Sequence, residues 1–244
     1  MRKRDRIRDL SAEFFLIVIG VLAALAVDGW VEERDNARME RDYLQRLSED
    51  VQENISIFRL MLEDWEASQK AAVDLLRVLE VPGSRPSAAG LLAAVARAAT
   101  TNTGPPQDAS FQDVSSTGNL RLITDMGLRT ALVRYFGYEI WAGRPSMDRL
   151  DLRFRTFARE YLPERWIGES RDLCPSTIPA LECTVEDVAP TDLLWLALSQ
   201  DPSMSRILTA HRNDAAHEVI IIRRWIQQSQ EMLEKLEHVR MGNQ

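Results

Sequence analysis

The chain has few of the residues on which most enzymes and metalloproteins depend. It has two cysteines and three histidines in 244 residues. No two of His211, His217 and His238 are four positions apart, so no helix face offers a paired imidazole site, and no metal is expected. The sequence contains neither Gly-x-Gly-x-x-Gly nor the P-loop pattern that cradles phosphates. Ser115-Ser116-Thr117-Gly118 lacks the Gly-x-Ser-x-Gly spacing and the strand–turn–helix setting of a nucleophile elbow. No catalytic residue, no cofactor and no enzymatic activity are therefore expected. A basic stripe with interleaved aromatics is also missing. The net charge of -7 and the pI near 5.2 speak against nucleic acid as a partner. No segment keeps up the period-2 alternation of a half-buried strand.

What is present is one apolar run next to a basic cluster. Residues 14–27 (FFLIVIGVLAALAV) carry no charge. At 1.5 Å per residue they reach roughly 21 Å, short of the roughly 30 Å hydrocarbon core. Extended to Leu10 and Val31, with Glu13 and Asp28 near the headgroups and Trp30 at the interface, the segment reads as a transmembrane anchor. Arg2, Lys3, Arg4, Arg6 and Arg8 precede it, while Glu32, Glu33 and Asp35 follow. The positive-inside rule puts the N-terminus in the cytoplasm of a bacterial inner membrane and the main domain in the periplasm. The expected organisation is a basic cytoplasmic tail over 1–9, a transmembrane anchor over 10–31 and an extracytoplasmic helical domain over 32–244. The rival reading is a cleaved signal peptide, because Ala24-Leu25-Ala26 fits the small-x-small rule. No second run is long enough to span, since residues 219–222 stop at Arg223.

The rest of the chain has helical periodicity. From Leu44 in steps of seven come Leu44, Val51, Phe58, Trp65, Ala72 and Leu79; the companion row is Leu47, Asn54, Met61, Ser68 and Leu75. Such a stripe predicts one long helix from the membrane to about Leu79, ended by Pro82-Gly83. Asn54 and Ser68 weaken a pure coiled-coil zipper and favour a bundle core. Ser87 is placed to cap a second helix. Gly118-Asn119 reads as a helix C-cap, and Thr124 or Asp125 opens the next helix. Another helix begins at Pro145, with Met147, Leu150, Phe154, Phe157 and Tyr161 on one face, and Pro163 ends it. Residues 164–190 read as irregular. Thr191 or Asp192 caps a helix through Leu198, another begins near Pro202, and a long one covers about 210–239. The fold class is all-α: an anchor continuing into a long helix, packed with shorter helices and a long C-terminal helix as a helical bundle. Trp65, Trp141, Trp166, Trp195 and Trp225 fit core packing better than a ligand pocket. Cys174 and Cys183, in CPSTIPALEC, fit a disulfide closing a small loop in an oxidising compartment; two separate buried thiols are the alternative.

Two stretches resemble a family of bacterial single-span membrane proteins of unknown function. EFFLIVIGVLAALAVDGWVEERD is similar to that family's anchor at Glu13, Val18, Ile19, Gly20, Leu22, Ala24, Leu25, Trp30, Glu32 and Arg34. SSTGNLRLITDMGLRTALVRYFGYE is similar to its second motif at Ser116, Gly118, Leu120, Leu122, Ile123, Leu128, Arg129, Leu132 and Tyr135. The sequence departs from the pattern at Ala12, Asp28, Val31 and Phe136. The resemblance implies a retained anchor, since the motif runs through the would-be cleavage point, and it implies no activity.

These features point to a membrane-anchored periplasmic interaction module, scaffold or sensor-like, acting through protein contacts. The expected partners are the lipid bilayer and either a second copy of the chain or another membrane protein. Gly20 and Ala24 make a small-xxx-small pair that lets two spans approach. Two alternatives use other residues. Glu13 at the edge of the span suits a subunit of a transport or ion-coupled complex. The turn with Ser116, Gly118, Asn119 and Arg121 suits a small-molecule site between helices. The arginines at 149, 153, 155 and 159, interleaved with Asp148, Asp151 and Glu160, read as a solvated face.

Overall fold

Heptad spacing of apolar residues with no proline before Pro82 lets one helix run on, and α1 (Arg2–Glu80) does so for 79 residues, about 120 Å. A computed structural model describes residues 2–100, 104–140, 152–168, 170–175, 177–185 and 191–242, with side chains from Val18 on except at 167–168 and 170–171. Among them every regular element is helical. α1 passes through Asp28-Gly29 without a break. From Leu44 to Ala72 its seven-residue row is fully buried.

α2 (Ala88–Ala98) starts at Ser87, whose Oγ accepts the Gly90 N–H at 3.0 Å. α3 (Ala109–Ser116) stops at a left-handed Gly118 with φ 73°, a conformation that costs other residues because of Cβ. A single 3₁₀ turn (Asn119–Leu122) leads into α4 (Met126–Arg134), where the Asp125 carboxylate accepts the Leu128 N–H at 2.7 Å. A π-turn (Tyr135–Glu139) follows. Its wider winding keeps the consecutive rings of Tyr135 and Phe136 both inside; Phe136 stacks on Phe111 with centroids 5.0 Å apart. Phe136, one of the departures from the family pattern, brings no hydroxyl that needs a partner there.

The helix start expected at Pro145, with Met147 and Leu150, falls outside the described residues, as does Trp141. Among the described residues the helix is α5 (Arg153–Tyr161), with Leu152 as its N-cap. The irregular reading of 164–190 is corrected. That stretch holds α6 (Glu164–Gly168), α7 (Ser170–Leu173) and a 3₁₀ turn (Ala180–Glu182), elements too short to leave a periodic pattern. α8 (Asp192–Gln200) follows the predicted cap, although Thr191 makes no side-chain capping bond. The two helices expected from Pro202 and from about residue 210 are one, α9 (Met204–Gly242), of 39 residues. No breaker lies beyond Pro202. Asp201 accepts the backbone N–H and hydroxyl of Ser203, both at 2.7 Å. Those two hydrogen bonds hold its carboxyl below the usual carboxylate range.

α1 and α9 run antiparallel. Arg240 reaches Gln45, Phe58 lies 5.2 Å from Trp225, and Ser68 Oγ lies 3.1 Å from His211 Nε2. Two clusters fill the bundle. The near one joins residues 44–65 of α1 with α3, α4, the π-turn and residues 215–236 of α9. The far one joins residues 71–75 with α2, α5, α6, α8, both cysteines and residues 204–208. Trp65, Trp166 and Trp225 are buried in these cores, with Trp195 packed partly buried against the far one.

Candidate functional site

Before α1 enters the bundle it stands alone. Ile19, Leu22, Leu25 and Trp30 are 63%, 60%, 62% and 60% exposed, and Val21, Val27 and Val31 are also exposed. Successive helix residues turn by about 100°, so Ile19, Val21, Leu22, Leu25 and Val27 look out in all directions. A soluble surface helix carries one apolar stripe; a helix that is apolar all round needs apolar surroundings all round. Gly20 has nothing within 4 Å of an added Cβ, and Gly20 and Ala24 are both exposed. The Arg34 guanidinium lies 5.6 Å over the Trp30 ring. Among the described residues no helix is long and apolar enough to cross a membrane. The side chains of Glu13 and of the first part of the apolar run, residues 14–17, lie outside those described.

Where α1 enters the bundle, its polar residues hold irregular backbone. The companion row, continued one step back, reads Glu40, Leu47, Asn54, Met61, Ser68 and Leu75, alternately polar and apolar. The polar members are all buried. Glu40 Oε1 accepts the backbone N–H of Thr124 at 2.7 Å and its hydroxyl at 2.9 Å. Asn54 pairs with the backbone of Gln107 twice, donating to its carbonyl at 2.8 Å and accepting its N–H at 2.6 Å. Ser68 donates to the Ala98 carbonyl at 2.7 Å. Asp50 accepts the Ser110 N–H at 2.8 Å and so caps α3, which Asp108 leaves uncapped. Apart from the bond to the Thr124 hydroxyl, each satisfies a backbone group that would be costly to bury unpaired.

The candidate binding turn belongs to this docking. Asn119 Nδ2 donates to the Tyr43 hydroxyl at 2.9 Å, and Ser116 Oγ donates to the Asp113 carbonyl of its own helix at 3.2 Å. Arg129 Nη2 donates to the Ile123 carbonyl at 2.7 Å, and the Arg121 side chain faces solvent. Ser116, Gly118, Asn119 and Arg121 thus share one exposed bend, and Asn119 spends its amide on α1. Between α4 and the end of α9 lies an open groove of about 650 Å³, rimmed by Glu231, Glu234, Lys235 and His238.

Cys174 and Cys183 are joined as a disulfide, with Cα atoms 6.0 Å apart. Arg97 of α2 fixes this loop, donating to the carbonyls of Ile178 at 2.8 Å and of Cys174 and Pro175 at 3.0 Å. Gly90 allows the approach from the other side, since a Cβ there would meet the Leu181 carbonyl oxygen at 2.5 Å.

One buried polar group lies on α9 between Ala215 and Val219 of the near core. Glu218, next to the exposed His217, is buried, with Oε2 unpartnered. Desolvation, with a smaller push from Asp214, raises its pKa from 4.5 to about 7. His217 and His238 are exposed, and His211 packs 5.5 Å from the Phe154 ring. Burial also pushes the Tyr135 phenol up to about 12, while its hydroxyl lies 2.8 Å from Ser229 Oγ. Among the described residues no three His, Cys, Asp or Glu side chains group as metal ligands.

Sequence reasoning missed Glu40, Asp50 and Arg97, and singled out Arg129 only as part of the second motif. Only the polar members of a heptad row carried a signal for the α1 grips. Comparisons with protein-family models, curated proteins and solved structures returned no match.

Proposed function

We propose that the chain is a membrane-anchored helical interaction module, with α1 crossing a bacterial inner membrane and the bundle in the periplasm. The observation that carries this reading is the all-round exposed apolar stretch of α1 on the helix that becomes the main strut of the core. Lipid on every side is the one environment that suits residues 18–27 without leaving an unpaired apolar face. The basic cluster before the run supports this orientation. The disulfide accords with an oxidising compartment. The proposed role is one of protein contact. Membership of the single-span family, carried by the two motifs above, is part of the same proposal.

Cysteine labelling in whole cells tests the anchor. Arg38→Cys is expected to react with an impermeant maleimide in cells whose outer membrane has been permeabilised, and Arg4→Cys only after lysis. Reaction of both before lysis, or of neither until lysis, contradicts the topology. Crosslinking in the native membrane tests the role: a defined homo-oligomer or one specific membrane partner is expected, and a lone monomer contradicts it.

A further inference from the structure

The far end of the bundle carries positive charge that the anchor reading leaves unused. On α5, Arg155 and Arg159 stand one turn apart and line a recess of about 180 Å³ whose other walls are the end of α2, Leu162 and Trp166. A single water needs only about 10–15 Å³ of such space, so the recess has room for a small organic molecule. Arg155 is half-buried, and burial, followed by the like charge of Arg159, lowers its pKa. Among the described residues neither guanidinium has a hydrogen-bond or ion-pair partner.

Arg97 shows what a structural arginine looks like in this fold. It too is desolvated, and it uses its fork on three loop carbonyls. Arg155 and Arg159 have no such task at the end of α2. The carbonyls of Val95 and Arg97 take the backbone N–H groups of Ala99 and Thr100, at 3.0 and 3.2 Å. The carbonyls of Ala96 and Ala98 take the hydroxyls of Thr100 and Ser68, at 3.1 and 2.7 Å. Two like charges held over a partly apolar recess, where the carbonyls of residues 95–98 already accept hydrogen bonds, suit an oxyanion.

We propose that Arg155 and Arg159 bind a small organic oxyanion, a carboxylate or phosphate monoester, with its charge between the two guanidiniums and its body against Leu162 and Trp166. The recess lies level with Ser68 of α1, some 37 residues or about 55 Å beyond Val31 along the helix, so headgroups of a membrane at the apolar segment do not reach it. The ligand is therefore a solute, and the proposal stands whether or not α1 is an anchor.

The test uses the full chain in neutral-lipid nanodiscs, titrated with inorganic phosphate and with benzoate against chloride at matched ionic strength. At least one of the two anions is expected to raise the Tm by about 2–4 °C at saturation. A response to benzoate alone assigns a carboxylate, and a response to phosphate alone a phosphate ester. The double variant Arg155→Gln/Arg159→Gln is expected to lose the response while its Tm in chloride matches or exceeds that of the wild type. Arg155→Lys/Arg159→Lys keeps the charge without the fork and is expected to bind at least tenfold more weakly. No rise above chloride in the wild type, an undiminished rise in the glutamine variant, or a lower Tm of that variant in chloride would overturn the proposal.

Discussion

The two halves of the bundle are held together in different ways. In the near half, one helix organises everything. Glu40, Tyr43, Asp50 and Asn54 of α1 bind partners 53 to 84 residues away, and Phe58, Phe111, Tyr135, Phe136 and Trp225 fill the core they enclose. In the far half α1 contributes only Ala71, Ala72 and Leu75 to the buried core. Alanine-rich α2, with Ala89, Ala93, Ala94, Ala96 and Ala98 buried, supplies a smooth surface instead. The disulfide, Arg97 and the close approach at Gly90 tie short elements onto it. The near half depends on long-range polar recognition by a rigid strut; the far half depends on small residues and a covalent tie. Specificity near the exposed apolar segment therefore comes from α1 itself, so a change in that helix is felt first in the near core.

Substitutions that act on one half only would sharpen this contrast. The largest effect is expected from Phe58→Ala, which empties the near core and should cost about 3–5 kcal/mol. Hydrogen exchange should show the loss in α3 and α4 before α2, and equal loss in α2 would deny that the halves differ. Next comes Glu218, between Ala215 and Val219 of the near core. Its folded pKa, raised from 4.5 to about 7, means that the folded state holds the proton more tightly than the unfolded chain. Its contribution is therefore present below about pH 4.5 and is lost as pH rises through about 7, by up to roughly 3 kcal/mol. Urea midpoints at pH 5 and pH 8 should separate for the wild type and converge for Glu218→Gln. Opening the disulfide with Cys174→Ser should cost about 2–3 kcal/mol, for a loop of this size. Limited proteolysis should then cut between residues 174 and 183 while the near half stays protected. The smallest effect is expected from Arg46→Ala. Its 2.7 Å contact with Asp113 is exposed, although Asp113 raises the Arg46 pKa through that bond, and such pairs are worth about 0–1 kcal/mol.

The contrast also explains what could be read from the sequence. Local signals were legible because local rules produce them. Pro82-Gly83 follows the end of α1, Ser87 and Asp125 cap their helices, and Gly118 takes the left-handed conformation. The heptad rows identified the buried face of α1. Residues 164–190 were not legible as helix, because pieces of four or five residues show no period. The start of α9 near Pro202 was legible, but its continuity into the helix expected from about residue 210 was not, although no proline interrupts residues 203–242. The burial of Glu218 was not legible, because a carboxylate beside an exposed histidine looks like a surface residue until the helices packed against it are known. Of the candidate site, the apolar segment was legible from composition. The role of Asn119 was not, since its partner Tyr43 is 76 residues away.

The central claim is that residues 18–27 of α1 are surrounded by lipid while the same helix continues into the core. Site-directed spin labels placed singly from residue 16 to residue 36, in the full chain in lipid nanodiscs, measure access to oxygen and to a water-soluble nickel complex at each position. The account predicts high oxygen access at every position to about residue 27, without a 3.6-residue rhythm, and a switch to nickel access by Glu32. A 3.6-residue rhythm would place a protein partner on one face, and nickel access throughout would place the segment in water; either result would contradict the claim.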